Sequence, residues 1–312
     1  MSRESEVTAS VHTDASAAPR RSSRSPFRQV VSALLRDRLA LIGLVTVAVF
    51  VLAAALAPIT APQNPYDLSQ LDILDSRLPP GSRSVAGLVY LIGTDGQGRD
   101  LLSAILYGLR TSILVGFSSA AAALVLGALI GLVSAYAGGR VDSFLMRIVD
   151  IQLSFPAILI ALIFLAILGQ GIDKIIFALI VTQWAYYART IRGSALVERK
   201  RAYVDAARSM ALPDRAILFR HILPNCLPPL IVVATMRVAY AIMLEATLSF
   251  LGIGLPVTEP SLGLLISNGF EYLLSGDYWI SLFPGLALLL LIVAINLIGD
   301  ALRDILNPRR ES

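Results

Sequence analysis

Residues 39–59 run for 21 positions without a charged side chain, from Leu39 to Ile59. As an α-helix such a run extends about 31 Å, which matches the hydrocarbon thickness of a bilayer. Further apolar runs fall at about 111–135, 151–168, 175–187, 227–250 and 279–298. Lipid offers no partners to backbone N–H and C=O groups, so each run is expected to be helical. The sequence thus predicts an all-α polytopic membrane protein with six transmembrane helices. Composition points the same way. Of 312 residues, 56% are apolar and 15% charged, against about 25% charged in ordinary globular chains.

The polar intervals give the organisation. Residues 1–25 are rich in Ser, Ala, Thr and Arg without periodicity and are expected to form a disordered cytoplasmic tail. Phe27, Val30, Val31, Leu34 and Leu35 lie at helical spacing, which predicts an amphipathic interfacial helix over 26–38. The first span occupies 39–60 and, preceded by a polar tail, reads as an anchor rather than a signal peptide. An extracytoplasmic segment follows at 61–110, then a five-helix core at 111–302 and a cytoplasmic tail at 303–312. With the N-terminus inside, twenty Lys and Arg residues fall on the cytoplasmic side and five outside. That asymmetry places both termini, and the charged stretch near 201–224, in the cytoplasm. It also accounts for the basic balance without nucleic acid.

Several chemistries are excluded. Cys226 is the only cysteine, and His12 and His221 are the only histidines, too few soft ligands for a zinc or haem site. The two lysines, Lys174 and Lys200, follow Asp173 and Arg199, so no phosphate-cradling loop exists and the chain has no ATPase site of its own. No catalytic, cofactor-binding or metal-binding residues are assigned. The glycines of "GTDGQGRD" (93–100) do not fit a dinucleotide or calcium pattern, and a hydrogen-bonded turn feeding the next helix is the better reading.

Arg237 and Glu245 lie within the fifth span, where charges are functional candidates by default. They are pathway or structural charges, with Glu245 expected near the outer end, reaching the interface. Neighbouring spans supply no relay of a proton-coupled carrier. Ser119, Ala123, Gly127, Gly131 and Ala135 recur every four residues in the second span. Small residues on one helical row let two backbones approach, so a tight helix–helix contact is expected along it.

The charged stretch "YVDAARSMALPDRAILFRHILPN" (203–225) remains. Good helix formers run up to Met210, and Pro213 with Asp214 opens a second helix. Ile217, Leu218, His221 and Ile222 make an apolar stripe on that helix, and Pro224, Pro228 and Pro229 mark re-entry into the membrane. Two short helices at an angle have the form of a docking element for another protein's groove. A solvated connecting loop is the other reading, and physics alone leaves both open.

"DAARSMALPDRAILFRHILPN" resembles the "EAA" loop of permease subunits in bacterial ABC importers. Asp205, Ala206 and Ala207 take its first positions, Ala211 its glycine position, and Leu223 with Pro224 its end. "GTDGQGRD", "GGRVDSFLMRIVD", "LSFLGIG" and "FPGLALLLLIVAINLIGDALRDILNP" are similar to the second permease of the dipeptide, oligopeptide and nickel group, over roughly residues 26–308. The resemblance implies a type I importer permease in the bacterial inner membrane. It further implies a homologous second permease, two ATPase subunits that use ATP and Mg, an extracytoplasmic substrate-binding protein, and a di- or oligopeptide substrate. Nickel, haem or another small solute is the alternative cargo, and a stand-alone channel or secondary carrier the alternative class. Asp205, Ala206, Ala207, Ala211, Leu223 and Pro224 would then couple to the ATPases. Ala211 departs from the family's glycine. If that turn needs a positive φ, alanine costs about 1 kcal/mol or more; either the turn uses ordinary dihedrals, helped by Pro213, or the partner groove takes a different bend.

Overall fold

A computed structural model describes residues 26–67, 71–84, 87–256 and 258–306. The expected tail at 1–25 and the last six residues lie outside the described residues. Eleven helices are described: α1 Pro26–Leu34, α2 Arg38–Thr60, α3 Leu101–Ala137, α4 Gly139–Ser154, α5 Ala157–Leu168, α6 Ile172–Glu198, α7 Ala202–Ser209, α8 Asp214–Ala216, α9 Leu223–Phe250, α10 Leu262–Phe270 and α11 Trp279–Ile305. A two-residue antiparallel pair, β1 Ser82–Arg83 and β2 Val89–Tyr90, lies in the polar segment between α2 and α3.

Four helices are long and apolar enough to cross a membrane: Arg38–Thr60, Leu101–Ala137, Asp214–Phe250 and Trp279–Ile305. A fifth crossing arises if α4 and α5 count together, although they meet at 89°. The run expected as a third span at 151–168 is therefore not one straight helix. Pro156 breaks it: the residue before a proline is pushed out of the α region, and Phe155 is extended at φ −95°, ψ 141°. α3 also begins ten residues earlier than expected. Asp100 caps it through a bond from the Ser103 N–H, so the first turns of the helix precede the apolar run.

α2 is separated from α1 by a short break, and the Asp37 carboxylate accepts from the N–H groups of Leu39 and Ala40. Most of α2 is exposed, as a helix facing lipid would be. It touches the protein through small residues, including Gly43, where a Cβ would lie 2.7 Å from the Ala294 carbonyl oxygen of α11.

The most extensive helix pair is α3 with α6, and its seam is the small-residue row. Ser119, Ala123, Gly127, Gly131 and Ala135 are all buried. A Cβ on Gly127 would sit 2.3 Å from the Trp184 carbonyl oxygen, and one on Gly131 2.2 Å from that of Ala188. Both are backbone atoms that cannot swing away, so only glycine permits this approach. Nearer its start α3 turns another face to α9, where a Cβ on Gly116 would meet Ile242 at 2.4 Å.

The segment before α3 is closed by polar contacts. Thr94, Asp95, Arg99 and Asp100 of "GTDGQGRD" are all buried. Arg99 Nε donates to Asp95 Oδ2 at 2.6 Å, the Asp100 N–H to Gln63 Oε1 at 2.7 Å, and Trp279 Nε1 to the Thr94 carbonyl at 3.3 Å. The motif is the hydrogen-bonded turn the spacing predicts, tying the α3 N-terminus to the start of α11. Tyr90 donates to Asp75 at 2.9 Å; burial, and then that bond, push its phenol up to about 12.

α10 was not foreseen. The stretch at 252–278 reads as a loop, yet it holds a nine-residue helix capped by Ser261. Gly263 and Gly269 let α10 lie on α9 and α11: a Cβ there would meet the Ala246 carbonyl at 2.1 Å and the Ser281 N–H nitrogen at 2.4 Å.

Candidate functional site

The hairpin after α6 is built as follows. α7 ends at Met210, and the next residue, Ala211, has φ +56°. The Ala211 N–H donates to the Arg208 carbonyl at 2.9 Å and the Leu212 N–H to the Ala207 carbonyl at 3.2 Å. That pair of bonds is the Schellman termination, whose left-handed position is usually glycine. The glycine position of the motif thus takes a positive φ although alanine occupies it. Pro213 does not spare Ala211 the positive φ. It is extended at φ −64°, ψ 144° and starts the next helix.

That second element is not a short separate helix. α8, a π turn at Ile217–Ile222 and α9 form one continuous rod, Asp214–Phe250. Pro224, Pro228 and Pro229 lie inside it rather than marking a break. A proline ring crowds the carbonyl four residues back and offers no N–H to it. The wider π turn just before, with the Leu223 N–H reaching the Leu218 carbonyl, accommodates the first of them. Next to it Asn225 Nδ2 donates to the His221 carbonyl at 2.6 Å.

The apolar stripe of the hairpin turns inward. Val204, Ala207, Ile217 and Ile222 are buried against Leu132 and Ala135 of α3 and Ile191 and Ala195 of α6. Ile217 and Ile222 were expected to face a partner; they face their own chain. What remains outside is the bend: Asp205, Ala206, Arg208, Ser209, Met210, Ala211, Pro213, Asp214 and Arg215 are exposed. Of the six expected coupling positions, Asp205, Ala206, Ala211 and Pro224 are exposed, Leu223 is half-buried and Ala207 is buried. The Tyr136 hydroxyl at the end of α3 donates to Asp214, and Arg199 Nη1 donates to the Ala135 carbonyl at 2.9 Å, bracing the hairpin. Asp142 of α4 pairs with Arg192 of α6, one of the two bonds being 2.6 Å, and Asp150 pairs with Arg189.

The two intramembrane charges part company. Glu245 does not reach an interface; it is fully buried. Ser112 of α3 donates to Oε2 at 2.9 Å and Ser249 to Oε1 at 2.8 Å, so the carboxyl group joins α3 to α9. Nothing in a single sequence separates this arrangement from a pathway charge, because Ser112 lies 133 residues away. Arg237 is half-buried, with its guanidinium carbon 3.4 Å from the centroid of the Tyr186 ring and 5.4 Å from that of Tyr240. Among the described residues no group of three or more His, Cys, Asp or Glu side chains could hold a metal ion.

Comparison with known proteins is specific. Residues 123–312 match the family described as binding-protein-dependent transport system inner membrane component, and residues 25–80 match the N-terminal transmembrane domain of oligopeptide transport permease C. The chain is 44% identical over 286 residues to a putative peptide transport system permease protein of Brucella abortus, covering 92% of this chain and 93% of that one. It is 36% identical to the dipeptide transport system permease protein DppC of Haemophilus influenzae, covering 92% and 96%. Among solved structures it is similar to a chain of the MetNI methionine ABC transporter in an inward-facing conformation. That likeness has a TM-score of 0.53 and 22% identity, covering 65% of this chain and 96% of that one. With over half its length matched to one family and several relatives above 30% identity along nearly their full length, the chain belongs to the binding-protein-dependent transport system inner membrane components, the permease subunits of ABC importers.

Proposed function

We propose that this chain is one of two homologous permease subunits of a bacterial inner-membrane importer for di- or oligopeptides, driven by ATP hydrolysis in separate subunits. The observation that carries the reading is the similarity, along more than nine-tenths of the chain, to proteins named as peptide and dipeptide transport permeases. Six crossings are made by α2, α3, the bent α4–α5 pair, α6, α9 and α11, with both termini and the hairpin in the cytoplasm, as the distribution of Lys and Arg supports. The second permease completes the route, and a substrate-binding protein delivers cargo from outside.

The exposed bend from Asp205 to Arg215 seats in a cleft of an ATPase subunit. Nucleotide acts on the route only if the ATPases hold it with different affinity in the two permease states, since equal binding shifts nothing. The hairpin passes that difference on, because its inner stripe is packed on α3 and α6 and cannot move without them. The test is uptake, by the reconstituted complex of both permeases, the ATPase subunits and the binding protein, of labelled dipeptide, a longer peptide and nickel, with and without ATP. ATP-dependent peptide uptake is expected; ATP-dependent uptake of nickel alone would replace the substrate, and gradient-driven uptake by this chain alone would replace the class.

A further inference from the structure

Arg237 sits near the middle of the long α9 rod, half-exposed, and no carboxylate among the described residues lies within ion-pair distance of it. A guanidinium cannot be left against lipid at that depth without large cost, so it faces protein or water. Its charge is held by aromatic faces. At 3.4 Å the guanidinium is in stacking contact with Tyr186, and Tyr240 lies one turn along α9. Stacking leaves the N–H edge of the fork available, and a carboxylate is the group that matches that edge with two parallel bonds.

Two further observations point to the same place. Gln183, one turn from Tyr186 on α6, is fully buried and neither its amide oxygen nor its amide nitrogen has a partner among the described residues; the adjacent Tyr187 hydroxyl is also without one. Polar groups in that condition cost free energy unless something else supplies bonds. Further along the same two helices opens a largely apolar groove of about 720 Å³, whose lining includes Thr190, Ser194, Glu198, Asn225, Val233 and Arg303. Thr190 follows Tyr186, and Val233 precedes Arg237, by one helical turn. The aromatic-held arginine thus stands one helical turn beyond Thr190 and Val233 of that groove, on the same two helices.

We infer that Arg237, positioned by Tyr186 and Tyr240, is an anion-binding point on the translocation route that takes a carboxylate group of the transported solute. This rests on the peptide-importer reading, since every peptide with a free C-terminus carries that group. The site is a stepping point rather than a store. A single half-exposed arginine holds a carboxylate weakly enough to release it.

The test uses Arg237→Cys and Arg237→Lys in the full complex with its binding protein. Arg237→Cys is expected to assemble, to keep ATPase activity stimulated by loaded binding protein, and to lose at least about 10-fold in peptide uptake, the worth of one charge-assisted bond. A water-soluble thiol reagent that adds an aminoethyl group should restore uptake; one that adds a sulfonatoethyl group should modify the thiol, seen by mass, without restoring it. Arg237→Lys should keep more uptake than Arg237→Cys. The inference is overturned if the introduced thiol reacts with neither reagent, if both or neither restore uptake, or if Arg237→Cys imports normally. It is also overturned if Arg237→Cys releases the second permease, which would make Arg237 half of an ion pair between subunits. Should the unmodified complex import a different solute and no peptide, the peptide reading fails separately, and the charge-selective rescue is scored with that solute.

Discussion

Asn225 Nδ2 donates to the Tyr203 hydroxyl oxygen at 3.2 Å, joining the first helix of the hairpin to the start of α9. The same hydroxyl donates to Glu198 at 2.7 Å, at the end of α6. Three helix ends therefore meet at one phenol. Tyr203→Phe is expected to lose about 1 kcal/mol and to raise the rate of protease cleavage within the hairpin, with α3 and α6 unaffected. Burial first, and then the bond to Glu198, push the Tyr203 phenol up to about 12. A group with a raised folded-state value stabilises fully below its unfolded value, and that share is lost as pH rises from about 10 to about 12. Protease resistance of the wild-type hairpin should fall across that window, and the Tyr203→Phe variant should show no matching fall.

Ala211 carries the cost of φ +56° without being glycine. Ala211→Gly should stabilise the hairpin by up to about 1 kcal/mol, and Ala211→Val should destabilise it by more than alanine does. Thermal inactivation of the complex, ranked Gly above Ala above Val, checks this. Equal half-lives for all three would mean the turn does not hold that conformation in the assembled protein.

Asp205 is exposed, and its carboxylate meets Arg208 at 3.6 Å on the surface, a pair worth about 0.5 kcal/mol. Asp205→Arg should leave the permease folded and reduce substrate-stimulated ATPase activity at least about 10-fold. Asp205→Asn separates loss of charge from its reversal. Full stimulation in Asp205→Arg would remove this residue from the coupling surface.

Gly131 has backbone 2.2 Å from where a Cβ would stand. Gly131→Leu should cost at least about 3 kcal/mol, since neither helix can yield without breaking its seam. Val125→Leu, on an exposed face of the same helix, should be tolerated. Monodisperse protein after detergent extraction is the readout, and equal yields would contradict the contact.

Glu245→Ala leaves the Ser112 and Ser249 hydroxyls without their acceptor and opens a cavity, at about 1–3 kcal/mol or more. Glu245→Gln keeps an acceptor and should retain most of the folded yield, with uptake unchanged.

Four of the six apolar runs lie in helices long and apolar enough to cross a membrane, or five if the bent α4–α5 pair counts as one, because lipid forces such backbones into helices. The small-residue row also carried its own meaning, since period four on a helix is one face. What escaped was decided by packing at a distance. Whether the Ile217–Ile222 stripe faces a partner or its own α3 and α6 depends on where the hairpin folds back, and no local pattern records that. α10 is short and apolar, and its helical form is secured by glycine contacts with α9 and α11. The break at Pro156 could have been read from the proline itself. The continuity through Pro224, Pro228 and Pro229 could not, because a π turn has no sequence signature of its own.

That continuity makes α8, the π turn and α9 a lever. Glu245 ties one point on it to α3 through Ser112, while Asp214 lies 31 residues away at the end the ATPase would push. At the α-helical rise the long arm is about 46 Å, and Arg237 stands about 12 Å from the fulcrum on the same side. A thrust of about 4 Å at Asp214 then swings Arg237 by about 1 Å. A travel of that size would suit making and breaking hydrogen bonds, so under the proposed coupling the bar would gear a coarse stroke at the hairpin down to a fine one at Arg237.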